Sequence, residues 1–268
     1  MYSVLMSVYK RETAENLRVS VESMMTQTVP PDDFVLYCDG TLGKDLYREI
    51  DSLKNKYPLL NVIYSDVNSG LGKALAKGLK LCRYDIIARM DSDDIARPER
   101  MALELEAMDR HSADIVSGTV EEFSGTTDNI TNIKRLPQTD ILIKKYAKHR
   151  NPFNHPCVCF KKTAAVSVGG YEDCPYFEDY WLWARMLAHG CVGYNLPQSL
   201  LYMRGGEKMY SRRGGRGYTK AALAFRKKMK QKGYCSLADY ILTCTAHILS
   251  GMMPNKMRML FYSKILRK

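Results

Sequence analysis

An α/β fold, with a mixed and mainly parallel sheet, helices on both faces and a basic helical C-terminal tail, is what this sequence predicts on three observations. Short β-rich apolar runs alternate with longer amphipathic runs through the first 120 residues. Acidic residues stand at the ends of those apolar runs, where open α/β sheets collect ligands. Basic residues, finally, crowd the region after Ser199.

The elements follow in order. Tyr2–Val8 reads as a buried strand, and Ala14–Met25 as a helix carrying Leu17, Val21 and Met24 at helical spacing. Phe34–Cys38 is a second strand. Residues 43–57 form a helix that ends before Pro58, because the residue preceding a proline avoids the helical region. Asn61–Tyr64 is a strand, Leu71–Leu81 a helix that starts after Ser69-Gly70, and Asp85–Met90 a strand running into Asp91-Ser92-Asp93-Asp94. From about Val120 the pattern loosens, and residues 124–132 read as a Ser/Thr/Asn-rich connection. A helix is expected at Asp140–Lys148, a strand at Val158–Lys161, a turn at Gly169-Gly170-Tyr171, and a helix from Glu178-Asp179 through Leu182, Met186 and Leu187 to Gly190. Gly205-Gly206 and Arg212-Arg213-Gly214-Gly215-Arg216-Gly217 read as a flexible basic loop, with basic helices after it.

Composition excludes several classes. With 268 residues, 46% hydrophobic and 26% charged, the chain is neither disordered, collagen-like nor a coiled coil. Its eight cysteines include no CxxC pair, which argues against a zinc ribbon or a disulfide scaffold and for free thiols in a reducing, cytoplasmic setting. The N-terminal MYSVLMSVYKRE lacks the features of a secretion signal. The longest late apolar stretch, Tyr240–Met253, is shorter than the ~20 residues of a membrane span. The net charge of +11 is unevenly placed: 24 basic and 27 acidic residues precede Leu200, whereas 16 basic and 2 acidic residues follow from there. Such a tail suits an anionic partner, either a membrane surface on the inner face, phosphates or nucleic acid, though a solvated basic face reads the same way.

The chemistry is expected where the strands end. Asp39, Asp66 and Asp91 close three separate strands, and clustered carboxylates need a cation or donors to offset their repulsion. Each alone is equally a turn-forming aspartate. Asp91 and Asp93, two residues apart, can reach one hard divalent cation, Mn2+ or Mg2+, that leaves positions for substrate phosphates. Neither a Walker loop nor GxGxxG follows the first strand, against P-loop NTPases and dinucleotide dehydrogenases. Glu178-Asp179 supplies either a general base or ordinary N-terminal capping. Lys73, Arg212 and Arg213 are candidates to neutralise a leaving diphosphate. His155, Cys157 and Cys159 alternate as on one strand face; His155 reads as an acceptor contact, a hydrogen-bonded core histidine or, least well, a metal ligand. Trp181 and Trp183 could face a saccharide, or one of them the core.

Taken in order, Ser3-Val4-Leu5-Met6-Ser7-Val8-Tyr9, Ser23-Met24-Met25-Thr26-Gln27-Thr28, Asp39-Gly40, Asn68-Ser69-Gly70-Leu71-Gly72-Lys73-Ala74-Leu75, Arg89-Met90-Asp91-Ser92-Asp93-Asp94 and Glu178-Asp179-Tyr180 resemble family 2 glycosyltransferases of the Rossmann-like GT-A fold. Arg150-Asn151-Pro152-Phe153-Asn154-His155-Pro156 and Arg212-Arg213-Gly214-Gly215 resemble the bacterial branch that makes amylovoran and capsular polysaccharide. The resemblance implies a catalytic domain over residues 1–215, divided into a nucleotide-sugar half (1–120) and an acceptor half (121–215), with residues 216–268 as a basic extension. It implies a nucleoside-diphosphate sugar donor, a UDP-sugar above others, and inverting transfer to a lipid-linked saccharide acceptor. Ser7, Val8 and Tyr9 would form the nucleotide wall, Asp39 would bond the base, and Glu12, Asn68, Gly70, Lys73, Arg89 and Ser92 would line the donor. Asp91 would serve the ribose or the metal, Asp93 the metal, and Asp179 beside Glu178 would be the catalytic base. Two departures stand out: Cys38 occupies a place where the family often has an acid, and the QxxRW pattern of processive synthases is absent.

Two rivals fit less of the sequence. A sugar nucleotidyltransferase wants a glycine-rich loop after the first strand, and Val8-Tyr9-Lys10-Arg11-Glu12 has no glycine. A nucleic-acid-binding module would rest on the tail alone and leaves the acidic sheet edge without a purpose, so no nucleic acid is expected.

Overall fold

A computed structural model describes residues 1–205 and 215–253. Four strands, β1 (Ser3–Val8), β2 (Asp33–Asp39), β3 (Leu60–Ser65) and β4 (Ile86–Asp91), are mutually parallel in the order β3-β2-β1-β4. They alternate with α1 (Ala14–Met25), α2 (Lys44–Lys56) and α3 (Leu71–Leu81). β1 and β2 lie at the centre and are almost wholly buried, which is why they read as continuous apolar runs. Thr13 caps α1 by accepting from the Asn16 amide, and the helix buries Leu17, Val21 and Met24 as the spacing predicts.

The sheet continues through β8 (Val158–Lys161), antiparallel to β4, then β6 (Ile115–Ser124), β9 (Gly193–Arg204) and the two-residue β5 (Ile95–Ala96). β7 (Thr126–Lys134) pairs with β6 at the edge. The expected mixed, mainly parallel sheet is thus present, and its far half corrects the sequence reading. Residues expected to be a connection are largely β7, an edge strand whose exposed polar side chains carry no apolar alternation. β9 holds Pro197 inside a strand; the register against β6 jumps from Gly118↔Leu196 to Thr119↔Ser199, which expels Pro197 and Gln198 from the ladder. The remaining helices before the tail are α4 (Arg100–Arg110), α5 (Asp140–Tyr146), α6 (Lys162–Ser167) and α7 (Glu178–Ala188). α1, α2 and α4 cover one face of the sheet, while α3 and α7 cover the other.

Two helices follow, α8 (Gly215–Gln231) and α9 (Leu237–Met252). α8 docks on α7 by stacking Phe225 on Phe177, ring centroids 4.7 Å apart, with Ala222 and Met229 in the same cluster. Of the two, only α8 is basic; α9 carries Asp239 alone, in a capping box with Ser236. No helix among the described residues is long and apolar enough to cross a membrane.

Under the α4 face lies a fully buried ion pair, Arg100 with Glu104, 3.2 Å apart. Arg100 also donates to the carbonyls of Arg89 (2.8 Å) and Pro156 (3.1 Å), so one side chain ties α4 to β4 and to the turn before β8. Breaking a buried pair leaves an uncompensated charge. Arg100→Ala is therefore expected to cost about 3–5 kcal/mol in urea unfolding; a loss of under ~1 kcal/mol would mean that Arg100 does not join these elements.

Candidate functional site

The chain runs outward from β1 to β3 and returns to the other side of β1 as β4, so a topological switch point lies between β1 and β4, at their carboxyl ends. Ser7 of β1 stands opposite Asp91 of β4 there, and Val8 opposite Cys38 of β2. Beyond β4, carboxylate oxygens of Asp91, Asp93 and Asp94 lie within 4.8 Å of one another. Burial first, then the charges of Asp91 and Glu12, push the Asp93 carboxyl up to about 7. Burial and both neighbouring aspartates raise Asp94 as well.

The loop that carries these groups is held from several sides. Arg204, at the end of β9, donates its amide to Asp94 Oδ1 (2.7 Å) and its Nε to the Asp93 carbonyl (3.0 Å). Ser20 of α1 donates to the Asp91 carbonyl (2.6 Å), Ser23 accepts from the Ala96 amide, and Gln27 bridges the Arg97 carbonyl and the Met101 amide. Ser23 and Gln27 entered the sequence reading only within a motif of the family resemblance and Ser20 not at all; their polar spacing inside an apolar face was the available signal.

Beneath the cluster lies Arg89, 1% exposed, whose Nη2 meets Asp91 Oδ1 at 2.5 Å. Its Nε and Nη1, and Asp94 Oδ2, are buried with no hydrogen-bond partner among the described residues. Three carboxylates, one with an unused buried oxygen, form a hard-oxygen donor set that fits a divalent cation such as Mg2+ or Mn2+.

Glu178 and Asp179 open α7 and approach the same edge. An added Cβ on Gly72, in the first turn of α3, would stand 3.0 Å from Glu178 Cβ, so the two helix starts touch. Burial and then Asp179 push the Glu178 carboxyl up to about 7. Burial also raises Asp179, against the Tyr180 amide, Asn151, Lys134 and Arg89. Asn151 Nδ2 donates to Asp179 Oδ2 at 2.6 Å, while Asn151 Oδ1 accepts from the Phe153 amide, which fixes the amide's orientation. Asn151 and Lys134 were not among the predicted site residues. The first sat inside a segment noted only as a whole; the second ends a strand that looked like a connection.

Other predicted residues divide. Asp39 is buried and already engaged: its carboxylate accepts from the amides of Ser69 and Gly70 and from Ser69 Oγ, and its carbonyl from Asn68. Gly40 makes this possible, with φ +89° and the Asn68 amide 2.9 Å from where a Cβ would stand. Glu12 accepts from the Thr13 amide and Asn16, near enough to act on Asp93. Ser92 is buried in the loop, Ser7 half-buried and Tyr9 37% exposed. Lys73 is exposed and pairs with Asp173 at 3.0 Å.

Six candidate residues need correction or fall elsewhere. The Val8 side chain is fully buried in the core, so only its backbone can border a ligand. Trp181 is 1% exposed, packs against Phe225 and donates to Glu172 at 2.7 Å; it joins α7 to α8 and cannot stack on an acceptor. His155 lies in a 3-10 turn (His155–Cys157), off the strand of Cys159, and meets Tyr171 Oη at 3.1 Å among Phe160 and Trp183; burial, with Arg89 and Lys134, holds it well below the usual histidine range. Trp183, fully buried, belongs to that core as well. Arg212 and Arg213 lie outside the described residues.

Comparison with known proteins finds glycosyltransferases. The chain is 37% identical to the amylovoran biosynthesis glycosyltransferase AmsE of Erwinia amylovora, covering 98% of both. It is 35% identical to an Escherichia coli UDP-Gal:alpha-D-GlcNAc-diphosphoundecaprenol beta-1,3-galactosyltransferase, over 100% of this chain and 97% of that one. Among solved structures, S. aureus TarS 1–349 in complex with UDP-GlcNAc superposes with a TM-score of 0.62 at 15% identity, covering 99% of this chain and 71% of the other, which establishes the shared GT-A fold. With residues 3–169 matching the family model as well, and two relatives above 30% identity covered over nearly their whole length, the chain belongs to glycosyl transferase family 2.

Proposed function

We propose that this enzyme inverts the anomeric centre of a nucleoside-diphosphate sugar, a UDP-sugar above others, as it transfers the sugar to a lipid-linked saccharide in bacterial surface polysaccharide assembly. The observation that carries the reading is the convergence of two carboxylate groups at the β1/β4 switch point: Asp91, Asp93 and Asp94 over buried Arg89, and Glu178 with Asp179 from α7. The lipid-linked acceptor and the UDP-sugar donor are supported by the galactosyltransferase relative, and polysaccharide assembly by the amylovoran one. Residues 1–120 then serve the donor, 121–215 the acceptor and 216–268 the membrane side. The basic tail suits the anionic inner face of a membrane, at about 1 kcal/mol per cation near the surface; its outermost apolar residues, Leu260 and Phe261 among them, lie outside the described residues.

In the reaction, an acceptor hydroxyl attacks the anomeric carbon, the bond from that carbon to the diphosphate oxygen breaks, and the diphosphate leaves with the electron pair. Asp179 takes the hydroxyl proton on the carboxylate, which Asn151 holds by Oδ2. A divalent cation held by Asp91, Asp93 and Asp94 would, when bound, neutralise charge on the departing diphosphate. Arg89 fixes Asp91 from below. Ser7, Tyr9 and Asp39 border the nucleotide, with Asp39 acting through the Asn68–Gly70 loop that it holds, while Lys73 follows Gly72 in the first turn of α3 and pairs with Asp173.

Three measurements test this. Asp179→Asn is expected to leave UDP-sugar binding unchanged in calorimetry and to lower kcat by roughly 10²–10⁴; near-normal turnover would remove Asp179 from the base role. Asp93→Asn is expected to weaken UDP binding about tenfold in the presence of Mn2+ and leave the metal-free titration unaltered, whereas identical paired curves would exclude Asp93 as a ligand. Asn151→Ala removes a donor to the ionised Asp179. With Glu178, Tyr171, Arg89 and Lys134 still facing it, the Asp179 pKa then rises, and the acid limb of the kcat profile moves to higher pH. A lower but unshifted profile would make Asn151 merely structural.

A further inference from the structure

Helix α9 is turned the wrong way for water. Thr243 and Ser250 are its buried residues, with Tyr240, Cys244 and His247 half-buried, whereas Leu237, Ile241, Leu242, Ile248 and Leu249 stand 43–63% exposed. An ordinary surface helix does the reverse. Gly251 permits its close crossing with α8, since a Cβ there would stand 2.1 Å from Thr219 Oγ1. Beside the crossing runs a groove of about 360 Å³, lined by Thr219, Leu223, Ile248 and Gly251 with the cations Arg216 and Lys220.

The groove lies close to the catalytic edge. Tyr218, next to Thr219, packs its ring 5.6 Å from Phe177, the residue that precedes Glu178 and Asp179. Within residues 215–253, Asp239 is the sole carboxylate, and it is spent on Ser236 and on His149. Apolar walls, two cations and almost no competing negative charge complement a ligand that is apolar along its length and anionic at one end.

We propose that the α8–α9 groove holds the apolar chain of the lipid diphosphate that carries the acceptor saccharide, with Arg216 and Lys220 on its phosphates, a site that rests on the lipid-linked acceptor read above. The outward apolar face of α9 lets the chain enter from the bilayer without crossing water. The saccharide is then delivered past Tyr218 to the start of α7.

Farnesyl diphosphate, which lacks the sugar, is the probe, titrated into the full-length protein by calorimetry beside farnesol and inorganic diphosphate. Farnesyl diphosphate is expected to bind at least about tenfold tighter than either fragment. Ile248→Asp and the double variant Arg216→Ser/Lys220→Ser should each weaken it about tenfold, with the melting temperature held, because these side chains are exposed. Both should raise KM for the lipid-linked acceptor and leave kcat and the donor KM alone. Unchanged probe binding in Ile248→Asp overturns the proposal. So does a fall in melting temperature with probe binding intact, which would mean that the chain itself covers the groove, and so does a dimer that Ile248→Asp dissolves, which would mean that a second copy does. Probe binding that Ile248→Asp abolishes in a protein that transfers sugar to no lipid acceptor would instead retain the groove and sink the reading of the reaction.

Discussion

Arg89 is the constraint around which the rest is arranged. A guanidinium inside a sheet, 1% exposed, must be matched by charge in place, because its desolvation is too costly otherwise. Asp91 supplies the direct partner, and Asp94, Glu178 and Asp179 all fall within its field. The dependence is mutual: without Arg89, five carboxylates converging on one edge would repel one another with little to offset them. Its backbone is gripped from the opposite face of the sheet, where Arg100 donates to the Arg89 carbonyl. Two buried arginines therefore sit back to back across β4, one organising the packing of α4 and the other pairing with the strand-end acid Asp91.

This arrangement explains why the site is built from rigid parts and not from loops alone. The Asp91–Asp94 turn is held by α1 through Ser20 and by β9 through Arg204, and the residues after it by Ser23 and Gln27. α3 and α7 meet at Gly72 and Glu178. Burial and then Asp179 push Glu178 up to about 7, and burial raises Asp179 too, but the two acids differ in their partners. Asn151 accentuates the difference, since it bonds only Asp179. In the proposed reaction Asp179 is the proton acceptor, its carboxylate held by Asn151.

The first half of the molecule was legible because its elements are dictated locally. A central parallel strand must be apolar throughout, as Val4–Met6 and Phe34–Leu36 are, and helices such as Ala14–Met25 advertise a buried stripe at Leu17, Val21 and Met24. The second half was legible in part because its elements are dictated by partners. β7 is held by backbone pairing to β6, and β9 survives Pro197 only because a bulge absorbs it. Site residues follow the same division. Asp91, Asp93, Glu178 and Asp179 announce themselves as acids at element ends, whereas Lys134, Asn151 and Arg204 reach the edge only through long-range pairing. Trp181 misled for a related reason: an aromatic residue two positions after a catalytic-looking acid is a plausible sugar platform until α8 is seen to cover it.

Charge separation along the chain reflects what the two ends must handle. A diphosphate approaching the switch point meets carboxylates, which repel it unless a cation intervenes, so in the proposed reaction donor binding there would depend on a metal. A diphosphate entering the groove at the start of α8 meets Arg216 and Lys220 and needs no such intermediary. A single enzyme that must hold two diphosphates at once, one to be released and one to be retained on the acceptor, gains discrimination from recognising them by opposite electrostatic means. On these proposals the released one would be bound through an ion that can leave with it, and the retained one through fixed side chains beside an apolar helix face that keeps its lipid.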